Sequence, residues 1–157
     1  MKSITIKFDS PQVQQAYELA AKAHAGQVDK AGKDYIFHPL TVASFVTTDD
    51  EKTVALLHDV VEDTPVTLQN LSEAGFSDAV VHAVDCVTKR EDESLEQYLL
   101  RVKSDVLATT VKLADLRHNC DLSRIPRPCE KDFARVERYR AEIAFLKNND
   151  SRAFQRV

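Results

Sequence analysis

The chain has 157 residues, 43% of them hydrophobic and 29% charged, with a net charge of −4. That length and composition suit one domain with a sizeable core and exclude a disordered chain. The negative balance argues against nucleic-acid binding through a basic surface, and no apolar run approaches the roughly 18 residues of a membrane span.

Glycine occurs only at 26, 32 and 75. With the 3.6-residue apolar patterning, that scarcity predicts an all-α fold and leaves no glycine-rich phosphate loop. Met1-Lys2-Ser3-Ile4-Thr5 has no hydrophobic stretch and no cleavage site, so no signal peptide is expected. Asp9-Ser10-Pro11 starts a helix that carries Val13, Ala16, Tyr17, Ala20, Ala21 and His24 on one side and ends near Gly26. Residues 27–38 read as a loop turning at Gly32. Pro39 opens a short helix to about residue 47, and Asp49-Asp50 caps the next, about 50–63. Thr67 begins a helix that Gly75 stops, and Ser77 begins another that runs to about Val87. Ser94 and Gln97 form a capping-box pattern for a helix to about 103. Ser104-Asp105 precedes an apolar segment at 106–119, and Pro126 and Pro128 bracket a loop before an amphipathic helix at 130–147. Residues 148–157 are polar and are expected to fray or to pack on a partner. No repeat or linker divides the chain, so one domain over 1–157, with its core at about 10–147, is expected. Cys86, Cys120 and Cys129 are odd in number and form no Cys-x-x-Cys pair, which suits free thiols in a reducing cytoplasm.

The segment Val54-Ala55-Leu56-Leu57-His58-Asp59-Val60-Val61-Glu62-Asp63-Thr64 runs four apolar residues into His58-Asp59 and, two valines later, reaches Glu62-Asp63, with no lysine or arginine among them. Burying three carboxylates and an imidazole there costs several kcal/mol per uncompensated ion, on the order expected for buried charge. A divalent cation is the simplest compensation. On one continuous helix the pairs His58/Glu62 and Asp59/Asp63 would share a side. The alternative is an apolar helix with a solvated end before Pro65. His38, where a loop meets a helix, either adds a second imidazole or bonds loop backbone. Asp115, inside apolar Val111-Lys112-Leu113-Ala114-Asp115, needs a partner or a proton. Two imidazoles and two carboxylates suit Mn²⁺, Fe²⁺ or Zn²⁺.

The order His…His-Asp…Asp is the pattern of HD-domain phosphohydrolases. Ala23-His24-Ala25-Gly26-Gln27, Tyr35-Ile36-Phe37-His38-Pro39-Leu40, the 55–64 segment, Val87-Thr88-Lys89, and Val111–Asp115 with His118-Asn119 resemble the hydrolase domain of the RelA/SpoT alarmone enzymes. The likeness covers about residues 10–147 and is greatest to their small stand-alone hydrolase relatives. It implies a compact all-α HD-domain bundle with a buried metal site between helices. It also implies a manganese-dependent reaction that removes the 3′-pyrophosphate from guanosine tetra- or pentaphosphate. On that resemblance His38, His58, Asp59 and Asp115 hold the metal, Glu62 and Asp63 are the catalytic acidic pair, and Lys30 and Asn119 contact the nucleotide. A homodimer through the final helix is possible.

Three places depart from the pattern. Asp29 stands where the family carries an arginine, and would repel a polyphosphate. Ala114-Asp115 is followed by Leu116 rather than arginine, with Arg117 one place on. Cys120-Asp121-Leu122-Ser123-Arg124 replaces a stretch with arginine and threonine. The substrate therefore stays open between a guanosine alarmone, a close nucleotide such as an adenosine analogue, and another phosphorylated metabolite. An inactive metal-binding nucleotide sensor is the alternative of another class, and the intact Glu62-Asp63 pair weighs against it. Tyr35 either packs a base or fills the core. His24 either supports the site by hydrogen bonding or simply ends a helix, and His118 either reaches phosphate or lies on the surface. His82 reads as a surface residue. Lys89 either anchors phosphate or braces a helix end, and Lys112 either faces phosphate or pairs with a carboxylate. Arg135, Arg138 and Arg140 with Glu137 and Glu142 read as a solvated face.

Overall fold

A computed structural model describes residues 6–148 of the chain. The first five residues and the polar tail from 149 onward lie outside the described residues. Nine α-helices are present among them: α1 (Pro11–Ala23), α2 (Phe37–Ser44), α3 (Asp49–Leu57), α4 (Val60–Asp63), α5 (Leu68–Glu73), α6 (Asp78–Val87), α7 (Leu95–Lys103), α8 (Val106–Asn119) and α9 (Glu130–Lys147). A 3₁₀ turn at Leu122–Arg124 precedes α9. No strand forms among the described residues; a lone bridge pairs Val28 with Asp34. Among the described residues, no helix is long and apolar enough to cross a membrane.

Side-chain caps set most helix starts. Ser10 caps α1 with proline at its first turn, Thr67 forms a capping box with Asn70, and Ser94 forms one with Gln97. Ser77 and Asp105 cap α6 and α8. The cap of α3 is Thr48, not the aspartates that follow it, because Thr48 and Glu51 exchange hydrogen bonds in a capping box. Helix α1 stops at Ala23, earlier than expected, and helix α2 starts two residues before Pro39 and ends at Ser44.

Helix α3 is the centre of the bundle. Thr53 through His58 are all buried, and Val54, Ala55, Leu56 and Leu57 have no exposed surface. A helix apolar on every side must be surrounded, and α3 packs against α1, α2, α6 and α8. Truncating Leu56 or Leu57 to alanine would cost about 2–5 kcal/mol.

The helix expected over about 50–63 is broken in two. His58 Nδ1 lies 2.5 Å from the Ala55 carbonyl, the acceptor that the residue 59 N–H would use if the helix continued. Asp59 then sits at φ −104°, ψ −3°, the sparsely populated bridge region, before α4 begins. The four polar residues therefore do not share one helical face. Glu62 and Asp63 are exposed rather than buried, while His58 is buried and Asp59 is largely so.

Candidate metal centre

Three separate segments bring ligand-type atoms to one point. His38 arrives on the first turn of α2, His58 and Asp59 at the break after α3, and Asp115 from α8. His38 Nε2 lies 2.9 Å from Asp115 Oδ1 and 3.7 Å from Asp59 Oδ2. His58 Nε2 lies 3.0 Å from Asp59 Oδ2 and 3.4 Å from Asp115 Oδ1. Ligands held about 2.0–2.2 Å from one ion stand about 3 Å from their neighbours, so these separations suit a shared cation. His58 Nε2 supports the fit: despite those near approaches it is buried without a hydrogen bond. A buried imidazole nitrogen left that way is costly unless something else satisfies it.

The surrounding charges make the same point. Burial disfavours ionised Asp59, yet His58 outweighs it and holds the carboxyl at about 2. Burial also opposes ionised Asp115, but Lys112, and then His58, keep it well below the usual range. Both carboxylates are thus charged in a buried place. Burial pushes His58 toward neutrality, and the two aspartates overcome it, so the ring is held well above its ordinary pKa. A proton there does the work that a bound cation would do.

Neighbouring side chains orient the ligand atoms. The His58 Nδ1 contact to Ala55 O points Nε2 inward. His38 Nδ1 lies 2.7 Å from His118 Nδ1, with the two rings stacked at 14°. Burial, Arg124 and His38 lower His118 to about 4, so it is neutral near pH 7 and can accept from His38 Nδ1–H. That arrangement leaves the lone pair of His38 on Nε2, facing the cluster. Tyr35 donates to Asp59 Oδ2 at 2.5 Å, Lys112 to Asp115 Oδ2 at 3.0 Å, and Asn119 to Asp115 Oδ1 at 3.0 Å. Burial and the charge of Asp59 keep the Tyr35 phenol protonated for that role. Buried His24 bonds Gln27 and packs 4.9 Å from the Tyr35 ring, one layer behind the centre.

The cluster opens into a cavity of about 470 Å³, the size of a small-molecule site. Glu62 and Asp63 line it, and a carboxylate oxygen of Asp59 lies within 4.8 Å of one from each. Partial burial, and then the neighbouring carboxylates, raise both acids above their ordinary values. For Glu62 a hydrogen bond from the Lys89 backbone N–H at 2.8 Å works the other way and fixes its place. Lysines 30 and 112 and arginines 124 and 135 supply positive charge to the walls.

All eight sequence-predicted site residues reach this cavity or its base. Several expectations change. Asp29 is not a free repelling charge: its Oδ1 accepts from the Ala31 and Lys33 N–H groups, and its Oδ2 pairs with Arg124 at 3.2 Å. Burial resists ionisation of Asp29, but those bonds lower its pKa. Leu116 is buried in the core, and Arg117 lies 3.9 Å over the Phe45 ring. Tyr35 holds a ligand residue rather than filling the core, and His118 is no surface residue. Lys89 acts through its backbone, and Lys112 pairs with Asp115. Arg135 leaves the solvated face to line the cavity with Tyr139. Tyr139 carried no signal in the sequence, and His118, Arg124 and Arg135 were noted there without the contacts that bring them to the site. Only the place of His118 one residue before Asn119 hinted at its role.

A helical bundle with two imidazoles and two carboxylates converging from His…His-Asp…Asp defines a class of divalent-metal proteins. Residues 16–136 match the HD domain family, and the chain belongs to it. It is 40% identical over 129 residues to a probable GTP pyrophosphokinase of Mycobacterium leprae, covering 74% of this chain and 16% of that protein. It is 38% identical over 116 residues to the guanosine-3′,5′-bis(diphosphate) 3′-pyrophosphohydrolase of Haemophilus influenzae, covering 64% of this chain and 17% of that one. The chain thus spans about a sixth of the length of these relatives. A solved structure of a metazoan orthologue of SpoT, described as hydrolysing ppGpp, aligns with TM-score 0.73 and 22% identity over 96% of this chain and 93% of that one. That likeness establishes the fold.

Proposed function

We propose that the chain is a metal-dependent pyrophosphohydrolase that takes the 3′-pyrophosphate from guanosine tetra- or pentaphosphate, leaving GDP or GTP. The observation that carries the reading is the cluster of His38, His58, Asp59 and Asp115 at the base of a cavity lined by both acids and cations. The names of the bacterial relatives point to the same substrate class.

In this reading His38, His58, Asp59 and Asp115 hold a divalent ion, with Mn²⁺ the proposed metal. When bound, that ion supplies Lewis acidity to water and to the phosphoryl group. Glu62 and Asp63, raised toward neutrality and open to the cavity, take the proton from the attacking water and return one to the departing ribose 3′-oxygen. The bond between the 3′-oxygen and phosphorus breaks, a water oxygen joins that phosphorus, and pyrophosphate leaves. Lys30 and Asn119 contact the nucleotide. Arg124 supplies beside Asp29 the guanidinium that the loop lacks, and its plane suits a purine face or a phosphate. The acid pair separates this reading from a nucleotide sensor, which has no need of it.

The test is hydrolysis of guanosine tetraphosphate with Mn²⁺, products separated by anion exchange. Equal amounts of GDP and pyrophosphate are expected. Manganese-loaded protein that released neither would overturn the substrate and direct a screen to other phosphorylated metabolites.

A further inference from the structure

Outside the cavity, a second set of ligand-type side chains lies where α6 meets the start of α8. His82 and Cys86 are four residues apart on α6 and so share a face. Asp105, the cap of α8, comes from another segment. His82 Nε2 lies 3.6 Å from Cys86 Sγ and 4.0 Å from Asp105 Oδ2, and the three residues have ligand atoms mutually within 4.8 Å. We propose that His82, Cys86 and Asp105 form a separate binding site for a thiophilic divalent ion such as Zn²⁺.

The atoms that meet are the argument. A nucleophile relay would place the thiol on one imidazole nitrogen and the carboxylate on the other. Here both neighbours converge on Nε2, which can serve only one of them, while a cation satisfies all three. In a zinc tetrahedron, Zn–S of about 2.3 Å and Zn–N of about 2.0–2.1 Å place sulfur and nitrogen about 3.6 Å apart. The His82–Cys86 separation already has that value, and Asp105 needs a small shift. Asp105 Oδ1 is engaged by the Leu107 N–H at 3.0 Å, leaving Oδ2 for the ion. The His82 side chain is 65% exposed, so an ion can enter and water can complete its shell. Thiolate, imidazole and carboxylate together favour zinc or cobalt over manganese. Burial, then Asp105 and Asp85, push the Cys86 thiol up, which disfavours a free nucleophile and makes metal uptake release a proton. Asp105 and Asp115 are ten positions apart along α8, or about 15 Å, so the two sites are distinct.

Cobalt titration of the chelator-stripped chain tests this. The cluster at His58 offers only nitrogen and oxygen, so a thiolate-to-cobalt charge-transfer band requires a cysteine ligand, and the variants below assign it among Cys86, Cys120 and Cys129. One equivalent of band-forming Co²⁺ is expected, bleached by Zn²⁺ and weakened as pH falls. The band should vanish in Cys86→Ser and His82→Ala and persist in His58→Ala and in a Cys120→Ser/Cys129→Ser double variant. Exposed His82 can be truncated without disturbing the core, so His82→Ala decides the matter if Cys86→Ser fails to fold. Absence of the band in the parent, or its survival in His82→Ala, would overturn the proposal. Neither result depends on turnover of any nucleotide.

Discussion

His38 presents a lone pair on Nε2 only while its Nδ1 carries the proton, and His118 is the group placed to hold it there. Removing such a support usually weakens a metal site about 10–100-fold. His118→Ala should therefore lower Mn²⁺ affinity by that factor in a calorimetric titration, with helicity retained. Unchanged affinity would deny His118 the role. Glu62 differs, because it lies on the cavity side of Asp59 and is held by the Lys89 N–H. Glu62→Gln should keep its manganese while kcat falls about 10²–10⁴-fold, the usual contribution of a general acid–base group. Parallel loss of metal would make Glu62 a ligand instead. The nearness of His118 to His38 was not legible in the sequence, because a contact between residues 80 apart depends on how α2 and α8 pack.

The elements that aim these residues are a broken helix and a looped segment. Capping residues such as Ser10, Thr67 and Ser94 were legible because each works within its own turn. The break at His58 was not, since an apolar run reads the same through one helix or two. The decision falls to the contact between His58 and the Ala55 carbonyl. That break holds Asp59 among the imidazoles and leaves Glu62 and Asp63 open to the cavity. His58, Asp59 and Asp115 stood out in the chain as metal-type candidates, because each polar side chain lay in an apolar run that demanded compensation, whereas His38 entered the set at a loop–helix junction and through the resemblance. The cavity walls were harder: Arg124 and Arg135 look like ordinary surface arginines until the chain folds. In the loop before α2, Asp29 ties two backbone N–H groups and Arg124 together. Asp29→Ala should speed amide exchange at Ala31 and Lys33, weakening the loop by about 1 kcal/mol. It should raise KM with kcat near the parent value. A lowered KM would mean that Asp29 does repel the substrate.

Across the whole molecule, the candidate centre joins α2, the α3–α4 break and α8, so an ion there ties the middle of the bundle together. An ion that binds only the folded chain, at about 100 times its Kd, stabilises it by about 2.7 kcal/mol. At about 2–4 °C per kcal/mol for a chain of this size, removing it should lower Tm by about 5–10 °C. Scanning calorimetry with and without chelator reads this directly, and Mn²⁺ should restore the loss. The most direct test of the centre is parallel measurement of bound manganese and of pyrophosphate release from guanosine tetraphosphate, in the parent and in Asp59→Ala. The parent should hold the ion and release GDP with pyrophosphate, and the variant should lose both. An Asp59→Ala protein that kept its manganese and its turnover would contradict the assignment of this cluster as the reacting centre.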